Sequence, residues 1–230
     1  MNMDYITILN NKTEQKMKEY IKRIEDLYLN FQKINKIPNP QFAYEISFGF
    51  LTSEYVVKLQ IPSMSSHIDE ILLCARRLLE VFITIKYISQ TKTFSNVLEY
   101  CMRDKYEYLD GCDARSVADA KFFSELKDLD NYTLRNKQER EAILKQYNGN
   151  KPNKMPDMRI MAEEIGYEEE YRYFYKFTSK TLHFCPFSLN GDINLNIPIH
   201  KVVFLSRITK YLEEINKELE NIYQVIPKVS

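Results

Sequence analysis

The chain has 230 residues, enough for one full hydrophobic core or two small ones. Hydrophobic residues make up 44 %, which argues against disorder. Its 32 basic and 32 acidic side chains cancel, which excludes the global basic charge of a non-specific nucleic-acid binder and leaves only a local basic patch.

Five glycines, scattered singly, and eight prolines give sparse punctuation, which favours long helices over many short strands. The stretch MNMDYITILNNKTEQ lacks a basic region followed by an apolar core, so no secretory signal is read there. The first helix is predicted from Thr13 to about Lys36, on the stripe Met17, Ile21, Ile24, Tyr28 and Phe31; Pro38 and Pro40 end it. A second spans Gln41 to Gln60, with Phe42, Ile46, Phe50 and Val57 turned inward, and Pro62 closes it. Ser66-His67-Ile68-Asp69 reads as a helix start with the serine as cap, and this third helix runs to about Gln90. It is apolar on nearly every side between Leu78 and Ile88, so it is expected at the centre. The run Ile71–Ile88 has the length of a membrane span, but Arg76, Arg77, Glu80 and Lys86 interrupt it. A charge at the middle of a span costs roughly 2.5–3.5 kcal/mol, so a buried helix is expected and no membrane partner.

Ser95 to Tyr108 reads as a fourth helix. Residues 110–150 are polar and charged, with a turn expected near Gly111 and one or two peripheral helices. Lys151 to Pro156 reads as a linker, Asp157 to Ile165 as a short helix stopped by Gly166, and Tyr167 to Leu182 as a tyrosine-rich helix. Phe184 to Pro198 is expected to be irregular. The last helix, Ile199 to Tyr223, carries Leu205, Ile208, Leu212, Ile215, Leu219 and Ile222 at 3,4 spacing, with the first helix as its expected partner. The fold class is therefore all-α: a single-domain helical bundle over 1–230, with a buried central helix, a long C-terminal helix and a peripheral insertion at 110–156. Cys74, Cys101, Cys112 and Cys185 show neither CxxC spacing nor paired histidines, so no metal, cofactor or disulfide framework is called for, and a reducing cytoplasm is expected.

Two groups of polar residues stand out. In a helix, Arg76 neighbours Leu72, Leu73, Leu79 and Glu80. Either Arg76 and Glu80 form an internal ion pair that fixes helix register, or Glu80 holds the arginine toward a cavity. Which of Arg76 and Arg77 faces that cavity is open. Tyr171, Tyr175, Ser179 and His183 follow one another at i+4 steps along one slowly drifting stripe. Beside it Glu168, Arg172, Lys176 and Lys180 read as solvated, and Phe174, Thr178 and Leu182 as buried. A purely structural role for Ser179 is a bond back to the carbonyl four residues earlier, and for His183 a C-terminal cap. The chemical alternative pairs His183, whose imidazole titrates near neutral pH, with an arginine that grips phosphate bidentately. That pair suffices to cleave RNA through its own ribose hydroxyl without a metal. A serine hydrolase is discounted, because no oxyanion site is visible. His67 and His200 read as surface residues.

CARRLLEVFITIKYI, followed later by PDMRIMAEEIGYEEEYRYFYKFTSKTLHFCPFS, resembles a bacterial family of unknown function, the domain numbered 5677. Its recurring arginine and glutamate a turn apart fall on Arg76 and Glu80. Its tyrosine-rich helix, ending in a serine and a histidine four residues on, falls on Tyr171 or Tyr175, Ser179 and His183. The all-helical layout also invites comparison with the HEPN superfamily, which includes metal-independent ribonucleases of toxin and anti-phage systems. Their arginine and histidine lie a few residues apart on one helix. Here Arg172 and His183 are eleven apart, so an Arg76–His183 site has to form between helices. The resulting candidate set is Arg76, Glu80 and His183 as catalytic groups, with Tyr171, Tyr175 and Ser179 binding substrate. One reading is a bacterial defence or toxin-type effector, a ribonuclease or other phosphate-handling enzyme acting on RNA or another phosphate-bearing ligand. The other is a non-catalytic helical module that binds a partner protein or senses a ligand, with homodimerisation open in either case.

Overall fold

The computed structural model of the chain describes residues 3–34, 42–122, 132–182 and 198–226. Every regular element among them is helical. In chain order they are α1 (Met3–Ile34), α2 (Ala43–Lys58), α3 (Ile68–Thr91), a 3-10 turn at Phe94–Asn96, α4 (Val97–Phe122), α5 (Tyr132–Gln146), α6 (Met158–Glu164), α7 and α8 (Pro198–Val225). The helix α7 joins three pieces: an α turn at Glu168–Glu170, a π turn at Tyr171–Tyr175 and an α segment at Lys176–Leu182. The chain divides into two compact units, one of Met1–Phe94 with Asp157–Ser230 and one of Ser95–Pro156.

In the first unit, α3 is the inner element. Its Ile71, Leu72, Ala75, Leu78, Leu79, Phe82 and Ile83 are fully buried. The stripe of α8 is buried along its whole length, and it packs on α3 as well as on α1, the partner read from sequence. Met17, Ile24 and Phe31 bury the matching face of α1. That helix starts ten residues before Thr13, because Thr13 turns its hydroxyl back to the Leu9 carbonyl at 2.9 Å instead of capping. The helix α3 also starts differently from the sequence expectation. His67 is its cap, with Nδ1 accepting from the Asp69 amide at 3.4 Å, while Ser66 Oγ accepts from the Ser63 amide.

The inner face of α2 is Ile46, Phe48, Gly49, Ser53 and Val56, so Phe50 and Val57 are only part-buried. Gly49 sets that rotation. A Cβ at this position would lie 2.5 Å from the fully buried Phe31 ring, so the two helices approach over a missing side chain. Gly49→Ala is expected to lower the stability of this unit by about 1–3 kcal/mol, since Phe31 has no free space to move into. Chemical denaturation measures this; an alanine that stabilises, as a helix-interior alanine ordinarily does, would refute the close approach.

The second unit pairs α4 with α5 around Tyr106, Leu109 and Ile143. The helix α4 runs straight through Gly111, where the sequence predicts a turn. A helical glycine costs about 1 kcal/mol relative to alanine. Here the Arg140–Asp110 pair and the Lys105–Glu139 pair at 3.1 Å tie α5 to α4 across the same stretch. The segment after α5 is no free linker: the Asn153 amide donates to Glu99 at 2.8 Å, and Lys151 lies over the Tyr106 ring at 5.1 Å. Among the described residues no helix is long and apolar enough to cross a membrane.

Candidate functional site

Gly166, at φ +77°, turns the chain out of α6 in a backbone conformation that favours glycine. Tyr167 then seats its ring edge-on against Phe82 of α3, 4.7 Å between centroids. Phe174 and Thr178 are fully buried, and the Thr178 hydroxyl donates to the Phe174 carbonyl at 2.9 Å. These two anchor the inner face of α7 and turn its tyrosine stripe along α3.

Arg76 is where α3 meets that stripe. Its Nε donates to Glu80 Oε1 at 3.2 Å, and its Nη1 donates to Ser179 Oγ at 2.9 Å. The guanidinium carbon lies over the Tyr175 ring, 4.3 Å from its centre, close enough for a cation–π contact. Tyr175 stacks on Tyr171 at 4.7 Å and 22°. Burial, with a smaller contribution from Tyr175, pushes the Tyr171 phenol above its ordinary value, so its hydroxyl stays a neutral donor. The structure thus brings Arg76, Glu80, Tyr171, Tyr175 and Ser179 together across two helices. His183 lies outside the described residues, as do Cys185 and most of the predicted loop that follows.

The Arg76–Glu80 ion pair read from the sequence forms, but at the margin of the core and not inside it. Leu73, on the same flank, is 41 % exposed, and the Arg76 and Glu80 side chains are 16 % and 35 % exposed. There one carboxylate, one hydroxyl and one ring hold the guanidinium, and the side chain keeps some exposure. Arg77 is exposed, so Arg76 is the arginine of this site. Of the two roles read for Ser179, a bond back to its own helix and a place in the site, the structure shows its hydroxyl accepting from Arg76.

Two further polar groups escaped the sequence reading. Glu170 Oε1 accepts from Arg207 Nε at 3.0 Å and from the Tyr211 hydroxyl, tying the start of α7 to α8. Arg207 also lies 5.1 Å from the Tyr173 ring centre. Burial, then the bond to Glu170, pushes the Tyr211 phenol far up. On the other side of Phe82, Lys86 Nζ stands 3.8 Å from Glu214 and 3.9 Å from Glu218. Lone acids and bases in sequences far apart give no local pattern, so neither group has a signature. His67 is exposed as expected, whereas His200 is part-buried and its Nδ1 has no partner among the described residues. Among the described residues no three His, Cys, Asp or Glu side chains are grouped to hold a metal.

No curated protein and no solved structure matches the chain. A family model does, over residues 59–198, a span that takes in α3 with Arg76 and Glu80, the tyrosine-rich α7 and His183. The match covers more than half of the sequence, and the chain belongs to the family of unknown function DUF5677.

Proposed function

We propose that the chain is a bacterial defence or toxin-type effector that handles RNA, with Arg76 as the phosphate anchor and His183 as the proton-transferring group of a metal-independent ribonuclease. The observation that carries this reading is the Arg76 constellation. A guanidinium fixed by Glu80 and Ser179 beside two stacked, part-exposed tyrosines offers a charge for a phosphate and ring faces for a base. Single-stranded RNA is recognised by that combination of stacking and charge. Ser179 and Glu80 pre-orient the guanidinium, which lowers the ordering cost of binding.

The test is binding and cleavage of a single-stranded RNA oligonucleotide. Arg76→Lys is expected to weaken binding by about tenfold or more, because an ammonium cannot reproduce the planar fork. Chelators are expected to leave cleavage unchanged. Wild-type affinity in a folded Arg76→Ala protein would refute the anchor role. The second reading, a ligand-sensing module without catalysis, is favoured by one point: Glu80 and Ser179 already satisfy two of the arginine's donors. Specific binding of RNA or nucleotide with no cleavage under any condition selects that reading.

A further inference from the structure

The π turn at Tyr171–Tyr175 lies between two anchor points on α7. At its start, Glu170 is held by Arg207 and Tyr211 of α8. Four residues beyond its end, Ser179 is held by Arg76 of α3. The two helices supplying these anchors pack against each other, so both anchors must face the same half of α7. A regular α-helix does not allow this. Glu170 and Ser179 are nine residues apart, which is about two and a half turns and puts them on opposite sides. A π turn closes i→i+5 bonds and absorbs about one extra residue. The spacing then behaves as about eight α-helical residues, and the two side chains come within about 80° of one another.

We infer that Glu170, Arg207 and Tyr211 are positioning residues of the Arg76 site: with Ser179 they impose the π turn, and the π turn sets where Tyr171 stands against Tyr175. The two ends share one strained turn, so each is bound more weakly than it would be alone. Releasing either end lets residues 171–175 return to α geometry, swings Tyr171 around the helix axis and removes the strain from the other end. The inference rests on the RNA-handling reading only for its consequence, namely that the stacked tyrosines serve a base.

The decisive measurement is a double-mutant cycle between ends that do not touch. Tyr211→Phe removes one bond from Glu170, and Ser179→Ala removes the acceptor from Arg76. Hydrogen exchange reads the opening constant of the α7 amides in wild type, both single variants and the double. If the ends share strain, each single release already relieves it, so opening in the double variant exceeds the product of the single effects by about fivefold. Deleting Arg172, an exposed residue of the π turn, removes the extra residue while leaving both anchors aligned. In that background the excess is expected to vanish and the two effects to multiply. Multiplicative effects or a shortfall in the full-length chain would overturn the inference, as would an excess that persists after the deletion. Glu170→Gln, which keeps the side chain's size, replaces Tyr211→Phe if the latter fails to fold. RNA affinity is followed in the same proteins, and Tyr211→Phe is expected to weaken it without touching Arg76. RNA binding absent from every protein retires the proposed function, and the exchange cycle still decides the π-turn inference.

Discussion

His183→Asn is expected to leave the chain folded and to lower RNA cleavage by about a hundredfold or more, with RNA affinity retained. Imidazole is the side chain whose ordinary pKa, about 6.5, lets it both take and give a proton near neutral pH. Asparagine has similar reach and tolerates helix ends, so a residue that only capped α7 would be replaced with little loss of stability. The contrast with Arg76→Lys is the informative part. In the proposed function Arg76 serves binding, so its loss would act on affinity, and His183 serves proton transfer, so its loss would act on the rate of the bound complex. Expression in a bacterial host, scored for growth arrest, phage protection and RNA integrity, gives the cellular counterpart. Equal cleavage by wild type and His183→Asn would end the enzyme reading and leave the ligand-sensing one.

Lys86→Met is expected to destabilise the first unit by about 3 kcal/mol at neutral pH, and by less as the pH falls. The side chains of Lys86, Glu214 and Glu218 are 16 %, 12 % and 13 % exposed, so two carboxylates lose a shared cation in a poorly solvated place. Glu214 retains Lys210 at 2.8 Å and Lys217 at 3.1 Å, whereas Glu218 depends chiefly on Lys86. Burial already pushes the Glu218 carboxyl above its ordinary value of 4.5, with Lys86 as the main opposing influence. The folded state therefore holds that proton more tightly than the unfolded chain does. Stability falls as pH rises from the ordinary value through the raised one, and removing Lys86 moves the raised value further up. Urea denaturation at pH 5 and pH 7 measures the difference. Adding Glu218→Leu should recover most of the loss, because a pair removed together leaves no buried charge. A loss that is the same at both pH values would show that packing of the lysine stem, and not charge, is what matters.

The helices were legible where an apolar stripe marks them. The α8 stripe and the continuous apolar girth of α3 gave both elements to within a few residues, because burial is periodic along each helix. The start of α1 and the passage of α4 through Gly111 were not, since neither stretch carries such a stripe, and a lone glycine is a weak stop signal. For the site, the Arg76–Glu80 pairing is local, one helical turn, and sequence spacing reveals it. Its position at the core edge is not local: it depends on how far packing covers this flank, where Leu73 stays 41 % exposed. The π turn left no distinct trace: Tyr171, Tyr175, Ser179 and His183 at steps of four read as a stripe that drifts along a regular α-helix. Glu170 with Arg207 and Lys86 with Glu218 left none, because ion pairs between distant helices have no sequence period.

The burial of α3 also equips the chain with a chemical clock. Cys74 lies inside that helix, and burial pushes its thiol up to about 12, so almost no thiolate is present at neutral pH. Cys101, in the second unit, is exposed. Burial and Asp104 push the Cys101 thiol up as well, but a reagent reaches it without any opening, whereas it reaches Cys74 only when α3 opens. Peptide mapping of the two adducts over time would time the opening of α3 against the direct labelling of Cys101, with no substitution.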